Sequence, residues 1–175
     1  RGDAKENGGK NYSRICALFG VGRDDTAVTK QVHGNEVRVV TSADKHITGT
    51  PTPYEADGLI TTERGLPIAC FVADCVPALL CDAQAGVIAA VHCGWRSSVA
   101  DILGVTVEKM CTLGARVENI CCAQGASIGR CCFETDDDVY EALIGTYGDR
   151  IKDYIYRQED KWHIDLKNIT YFVLQ

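Results

Sequence analysis

The stretch Val72–Arg96, VADCVPALLCDAQAGVIAAVHCGWR, decides the fold. Two apolar runs, VPALLCD and GVIAAVH, flank DAQAG, a tight connection containing Gly, so the stretch reads as a β-hairpin with largely buried strands. Folding it about Gln84 sets position 75 opposite position 93 and brings Cys75 and His92 to the same end. Pro77, near the start of the first run, marks a bulge or an edge. A one-residue slip of register decides whether the two reactive side chains share a face.

Working outward, further strand-like runs fall at about 12–19, 36–41, 58–62, 67–73 and 117–123, rich in Val, Ile, Cys and aromatics and bounded by turn residues. The opening and the TGTPTPYEADG passage read as loops on their Gly, Pro and Thr content. Ser97 or Ser98 caps a helix whose stripe is Val99, Ile102, Leu103, Val107, Met110 and Leu113, with Gly114 as its stop. A second helix opens in TDDDVYEALIGTYG, where Asp residues suit the positive end of the helix dipole and Val139, Leu143 and Tyr147 share a face. A third begins at Asp165 and carries Leu166, Ile169, Phe172 and Val173 on its stripe. It is still running at Gln175, and the chain starts without Met, so the expectation is a single domain over 1–175, incomplete at both ends.

Composition narrows the function classes. With 46% hydrophobic and 24% charged residues, the 175-residue chain is an ordinary globular one, and no apolar run approaches the length of a membrane span. The 24 acidic and 18 basic side chains leave a net charge of -6 without a Lys/Arg cluster, so the electrostatic footprint of a nucleic-acid binder is missing. A small anion can still use a local basic pocket. Ten cysteines raise the question of a disulfide framework, but no signal peptide is visible and the core-like segments need no crosslinks, which points to a cytoplasmic setting. Cys16, Cys70, Cys81, Cys111, Cys121 and Cys122 lie in apolar runs, where a thiol behaves as a small hydrophobe. No CxxC occurs, and the adjacent pairs Cys121–Cys122 and Cys131–Cys132 lack zinc-ribbon spacing.

A Cys and a His at one strand end suit two chemistries: metal ligation, or a nucleophile with its base. The metal reading needs a third ligand. Of the four histidines, His33 in KQVHGNEVRVV is the best candidate, because it stands beside Gly34 at the start of a strand. His46 reads as a loop residue and His163 as a contact before the third helix. Three protein ligands with an open position form the pattern of a catalytic zinc, whose bound water is acidic enough to attack at neutral pH. Arg96 reads either as a salt-bridged helix-entry residue or as an anion clamp. Asp74 caps a turn or orients a ligand, Trp95 packs, and Glu134 is a buried acid or a turn-region ion pair.

KQVHGNEVRVV, ADGLITTERGLPIACFVADCVPALLCDAQAGVIAAVHCGWR, GASIGRCCFE and WHIDL, in this order, resemble the YfiH family, also called laccase-domain or polyphenol oxidoreductase proteins. The resemblance covers the chain from about Val21 onward. It implies an α+β fold of mixed β-sheets flanked by helices, related to a cysteine-hydrolase-like fold. It implies one metal, zinc, held by His33, Cys75 and His92; with Arg96 read as the anion clamp, the expected catalytic residues are Cys75, His92 and Arg96. The activities implied are phosphorolysis of adenosine, inosine, guanosine and methylthioadenosine, and deamination of adenosine, so the partners are a purine nucleoside and phosphate. Departures from the family pattern stand at Cys93 (usually Ala), Ser97 (usually Gly) and Arg130 (usually Pro), and the family's closing segment is absent. Three other readings compete: a copper-dependent oxidase of phenols with Met110 as a weak axial ligand, a metal-free cysteine hydrolase using Cys75 and His92, and a non-enzymatic binding domain. Met110 fits the apolar face of its helix, and four histidines are too few for a multicopper centre.

Overall fold

The Val72–Arg96 stretch folds into the middle of a five-stranded sheet. The computed structural model describes residues 5–47 and 50–175. In chain order its elements are α1 (Lys5–Leu18), β1 (Val37–Val39), β2 (Gly58–Thr61), β3 (Val76–Asp82), β4 (Val87–Cys93), α2 (Trp95–Val99), α3 (Ile102–Thr112), β5 (Cys121–Gln124), β6 (Glu134–Thr135), α4 (Asp137–Tyr147), β7 (Ile155–Gln158), β8 (Lys161–Ile164) and α5 (Leu166–Val173). The larger sheet runs β1-β2-β4-β3-β5, with β1 and β2 parallel and the other pairs antiparallel. A second, antiparallel sheet runs β6-β8-β7. This is the expected α+β architecture with mixed sheets and flanking helices.

The central hairpin is shifted by one residue from the expected register. Val76 pairs with Cys93 and Pro77 with His92, so the midpoint lies between Gln84 and Ala85. The cause is a four-residue connection. Asp82 accepts the N–H groups of Gln84 and Ala85 at 2.9 and 3.0 Å, and Gly86 closes the turn at a φ of 69°, which a side chain would strain. Packing enforces the same answer. Val76, Ala78, Leu80, Val87, Ala89 and Val91 all face the main core, against Ile102 and Met110 of α3, Leu143 of α4 and Ile169 of α5. Turning the four larger aliphatic residues outward would forfeit on the order of 10 kcal/mol, at about 1.5–3 kcal/mol each, comparable with the whole stability of a domain. The register therefore places Pro77, Cys75 two residues before it, and His92 on the opposite face.

That opposite face carries a small second core of Ala27, Val40, Leu59 and Leu66 and, beside it, an apolar groove of about 780 Å³ bounded by α1. The groove explains why the 12–19 run is not a strand. Tyr12, Ile15, Cys16 and Phe19 recur at helical spacing and line the groove from α1 and its end, so period outweighs composition here. The 67–73 run also departs from expectation: it makes one isolated bridge, Ala27 with Ile68. The Gln31 side chain then captures Phe71, donating from Nε2 to its carbonyl and accepting its N–H on Oε1, both at 2.7 Å. The helix expected from Ser97 to Leu113 is two helices. Asp101, at a φ of 59°, breaks it and caps α3 through the Gly104 N–H at 3.2 Å. Ser97 acts from inside α2, accepting the Gly94 N–H at 2.8 Å rather than standing at the cap position.

The helices α4 and α5 form where expected, with Val139, Leu143 and Tyr147 buried on one and Leu166 and Ile169 on the other. Asp165 caps α5 through the Asn168 N–H. The β7–β8 hairpin has no counterpart in the sequence reading, because its alternating pattern is hidden among Arg157, Glu159, Asp160 and Lys161. Cys121 and Cys122, read as buried, are exposed on the edge strand β5, whereas Cys93 is fully buried in the main core as a small hydrophobe. The 117–123 run begins with a short helical turn at Val117–Asn119 and becomes strand only at Cys121. No helix among the described residues is long and apolar enough to cross a membrane.

Asp82 gives the fold an acid-sensitive point. Backbone N–H groups of Ala85, Arg116 and Gln84 hold its carboxyl below the usual carboxylate range. Its stabilisation is complete above about pH 4, the ordinary aspartate value, and is lost as the pH falls through the depressed value. We expect Asp82→Asn to lower the denaturation midpoint at pH 7 and to flatten the acid limb of a stability–pH curve. An unchanged acid limb would assign that limb to other carboxylates.

Candidate metal centre

At the open end of the hairpin, one ligand atom from each of His33, Cys75 and His92 lies within 4.8 Å of the others. The three side chains grade outward: His92 is buried, Cys75 half-buried and His33 exposed. The His33 and His92 rings meet edge to face, with centroids 4.8 Å apart and planes at 85°. β4 positions His92. The bend at residues 73–75, just before β3, positions Cys75. His33 comes from the loop before β1, at a φ of 62° that a non-glycine residue adopts only when its surroundings demand it.

Asp57 makes that demand. Its carboxylate accepts the backbone N–H groups of Val32, His33 and Gly34 at 3.1, 2.9 and 2.8 Å, which fixes the loop. The same carboxylate meets His92 Nδ1 at 2.8 Å, and its carbonyl accepts the His92 N–H at 2.7 Å. An ionised carboxylate only accepts, so Nδ1 carries the proton and Nε2 is left with its lone pair for a ligand. Burial raises the Asp57 carboxyl, but the His92, Gly34, Val32 and His33 hydrogen bonds outweigh it and hold the group below its ordinary value. Sequence reasoning missed Asp57. It lies at the end of a passage read as a loop and opens the ADGLITTERG segment of the resemblance with no role assigned to it, 24 residues from one histidine and 35 from the other.

Gly94 is the second residue the sequence did not expose. A Cβ there would sit 3.2 Å from Cys75 Sγ and 3.3 Å from the His33 ring, so the missing side chain makes room for both. Ser97 supports the turn, because its buried hydroxyl accepts from Gly94 and reaches the His92 carbonyl at 3.2 Å. Burial pushes the Cys75 thiol up, and the charges of Asp74 and Asp57 add to the effect. A cation reverses that balance, since a bound thiolate is the charged form these carboxylates otherwise oppose. Two imidazole nitrogens and one sulfur, with a carboxylate behind one histidine, fit a zinc-type site that keeps a fourth position open.

The remaining expected residues fall outside this cluster. Arg96 is exposed on α2 with its guanidinium over the Trp95 ring at 4.2 Å, and no ion pair engages it among the described residues. α2, whose first turn carries Arg96, is only five residues long. Asp74 contributes its carbonyl, which accepts the Ile128 N–H at 2.8 Å. Glu134 is exposed in β6 opposite His163, so the buried-acid reading fails. His46 bonds the Pro51 carbonyl in its loop, and His163 stacks on Tyr156 in the second sheet. Met110 is fully buried in the main core. Arg130 lays its guanidinium over Tyr156 at 4.4 Å.

A family model described as multi-copper polyphenol oxidoreductase laccase matches residues 1–175. The chain belongs to that family. Among relatives, the protein named adenosine deaminase RL5, from an unknown prokaryotic organism, is 38% identical over 165 residues, covering 91% of this chain and 63% of its own. A purine nucleoside phosphorylase of Deinococcus radiodurans is 37% identical over 166 residues, covering 95% of this chain and 61% of its own. The chain thus spans about three fifths of the length of these relatives. The crystal structure of YlmD from Geobacillus stearothermophilus superposes with a TM-score of 0.90 at 28% identity, over 99% of this chain and 66% of that one. YfiH of Bacillus licheniformis, at 23% identity, shares the fold with a TM-score of 0.91 over 99% of this chain and 67% of that one.

Metal affinity at the His33–Cys75–His92 cluster is expected to fall when either supporting residue changes. Asp57→Asn cannot accept all the N–H groups and should weaken zinc binding about 10–100-fold, measured by competition with a chromophoric chelator. Gly94→Ala should weaken it with an unchanged circular dichroism spectrum. Affinity equal to the parent in both variants would show that the cluster does not hold the ion.

Proposed function

We propose that the chain carries the metal centre of a zinc-dependent purine nucleoside enzyme, acting in phosphorolysis of adenosine, inosine, guanosine or methylthioadenosine and in deamination of adenosine. The observation that carries this reading is the convergence of His33, Cys75 and His92 in a chain related to proteins named for both activities. Held by His33, Cys75 and His92, a zinc ion would supply Lewis acidity there. Asp57 keeps His92 in the tautomer that can ligate and holds the His33 loop. In phosphorolysis, phosphate displaces the purine at the ribose C1′, and the exposed Arg96 guanidinium, resting on the Trp95 ring, is suited to neutralise the entering anion.

Two observations favour other readings. The description of the family favours a copper oxidase of phenols, against which stand four histidines in all and a Met110 committed to the core. The Asp57–His92 pair, with Cys75 close by, also has the order of a nucleophile, base and orienting acid. An activated cysteine nucleophile has a lowered pKa, and here the surroundings push the Cys75 thiol up. The zinc reading therefore leads.

Incubating the zinc-loaded protein with adenosine and phosphate should yield adenine with ribose 1-phosphate, together with inosine, detected by mass spectrometry. Absence of both products would remove the reading. Arg96→Ala should raise the KM for phosphate on the order of tenfold or more, the loss of one charge-assisted contact, and should raise the KM for the nucleoside less. Equal effects on the two constants would deny Arg96 a role toward phosphate.

A further inference from the structure

Cys131 and Cys132 belong to neither the core nor the candidate metal centre. Both thiols are exposed, and their sulfur atoms lie 3.2 Å apart. They sit in a tight turn in which the Cys132 and Phe133 N–H groups both donate to the Gly129 carbonyl, at 2.9 and 3.0 Å. His163 Nδ1 meets the Arg130 carbonyl at 3.3 Å, and the Arg130 guanidinium rests on Tyr156, so the turn is anchored to the second sheet. The other adjacent pair provides an internal contrast. Cys121 and Cys122 lie on β5 opposite Cys81 and Leu80, and neighbouring side chains on a strand point to opposite faces, so their sulfurs diverge.

We propose that Cys131 and Cys132 form a site of reversible oxidation that hydrogen peroxide closes to a vicinal disulfide. The Cys131 sulfur attacks one peroxide oxygen, the O–O bond breaks, and a sulfenic acid and one water result. The Cys132 sulfur then displaces that hydroxyl as a second water, forming the S–S bond. The two sulfurs together give up two electrons, both thiol protons leave in water, and one peroxide becomes two waters. The hydrogen bond with Cys131, the Cys131 charge and Glu134 push the Cys132 thiol up, and the two steps balance equally with the roles of the two sulfurs exchanged.

The bond is built to be labile. Neighbouring Cα atoms across a trans peptide are about 3.8 Å apart, whereas ordinary disulfides span roughly 4.4–6.8 Å, and strained disulfides are the readily reduced ones. The loop leading into the pair is tied to the segment before Cys75, because the Ile128 N–H donates to the carbonyl of Asp74.

Tryptic peptides separate the two adjacent pairs. Cys131–Arg150 contains Cys131 and Cys132 and no other cysteine, and Val117–Arg130 contains Cys121 and Cys122 alone. Zinc-loaded protein treated with peroxide, quenched in acid, alkylated and digested should give a Cys131–Arg150 peptide lighter by two hydrogen atoms and without alkyl groups. Dithiothreitol should restore both thiols, and Val117–Arg130 should be alkylated twice throughout. In Cys132→Ser the reaction should stop at a Cys131 sulfenic acid that dimedone captures. Double alkylation of Cys131–Arg150 after peroxide, over-oxidation without a bridge, a bridge to another peptide, equal closure of both pairs, or no dimedone adduct in Cys132→Ser would each overturn the proposal.

Discussion

The Asp57 carboxylate accepts four hydrogen bonds at once, three from the backbone of residues 32–34 and one from His92, and the candidate centre depends on this convergence. At 1% exposure, an unpaired carboxylate there would be costly, and full satisfaction is what permits its burial. The same bonds perform two positioning tasks. They hold His33 in a left-handed backbone conformation, and they present His92 through its outer nitrogen. Two ligands from distant parts of the chain are thereby tied to one rigid point between β1 and β2.

The third ligand is placed by a different constraint. Cys75 stands on the face of His92 because the central hairpin pairs Pro77 with His92, and that pairing follows from burying Val76, Ala78 and Leu80 on the other face. Core packing on one side of the sheet thus dictates chemistry on the other. Gly94 completes the arrangement by leaving its side-chain space to Cys75 and His33, and Ser97 stands behind it without intruding because its hydroxyl is absorbed by the turn. The gradient from buried His92 to exposed His33 opens the cluster toward solvent on one side.

Much of this was legible in the residues. The hairpin, its two strands, α4, α5 and the convergence of Cys75 with His92 follow from apolar runs and turn chemistry, and the family resemblance singled out His33 as their companion. The register is open by one residue in the sequence because nothing in DAQAG reveals that Asp82 ties the loop through its own side chain. The Tyr12–Phe19 segment was misread because β-prone residues at helical spacing satisfy both patterns when only a few are present. Asp101 broke a helix that the apolar stripe alone would have continued. Asp57 was invisible for a deeper reason: a carboxylate that works through backbone N–H groups leaves no side-chain pattern in the sequence.

The central claim is that His33, Cys75 and His92 act as a single ligand set. X-ray absorption at the zinc edge of the reconstituted protein tests it most directly. The account requires one sulfur and two imidazole nitrogens in the first shell, with the sulfur lost in Cys75→Ser. A shell of several sulfurs, or a sulfur that persists in Cys75→Ser, would contradict it and place the ion elsewhere among the cysteines.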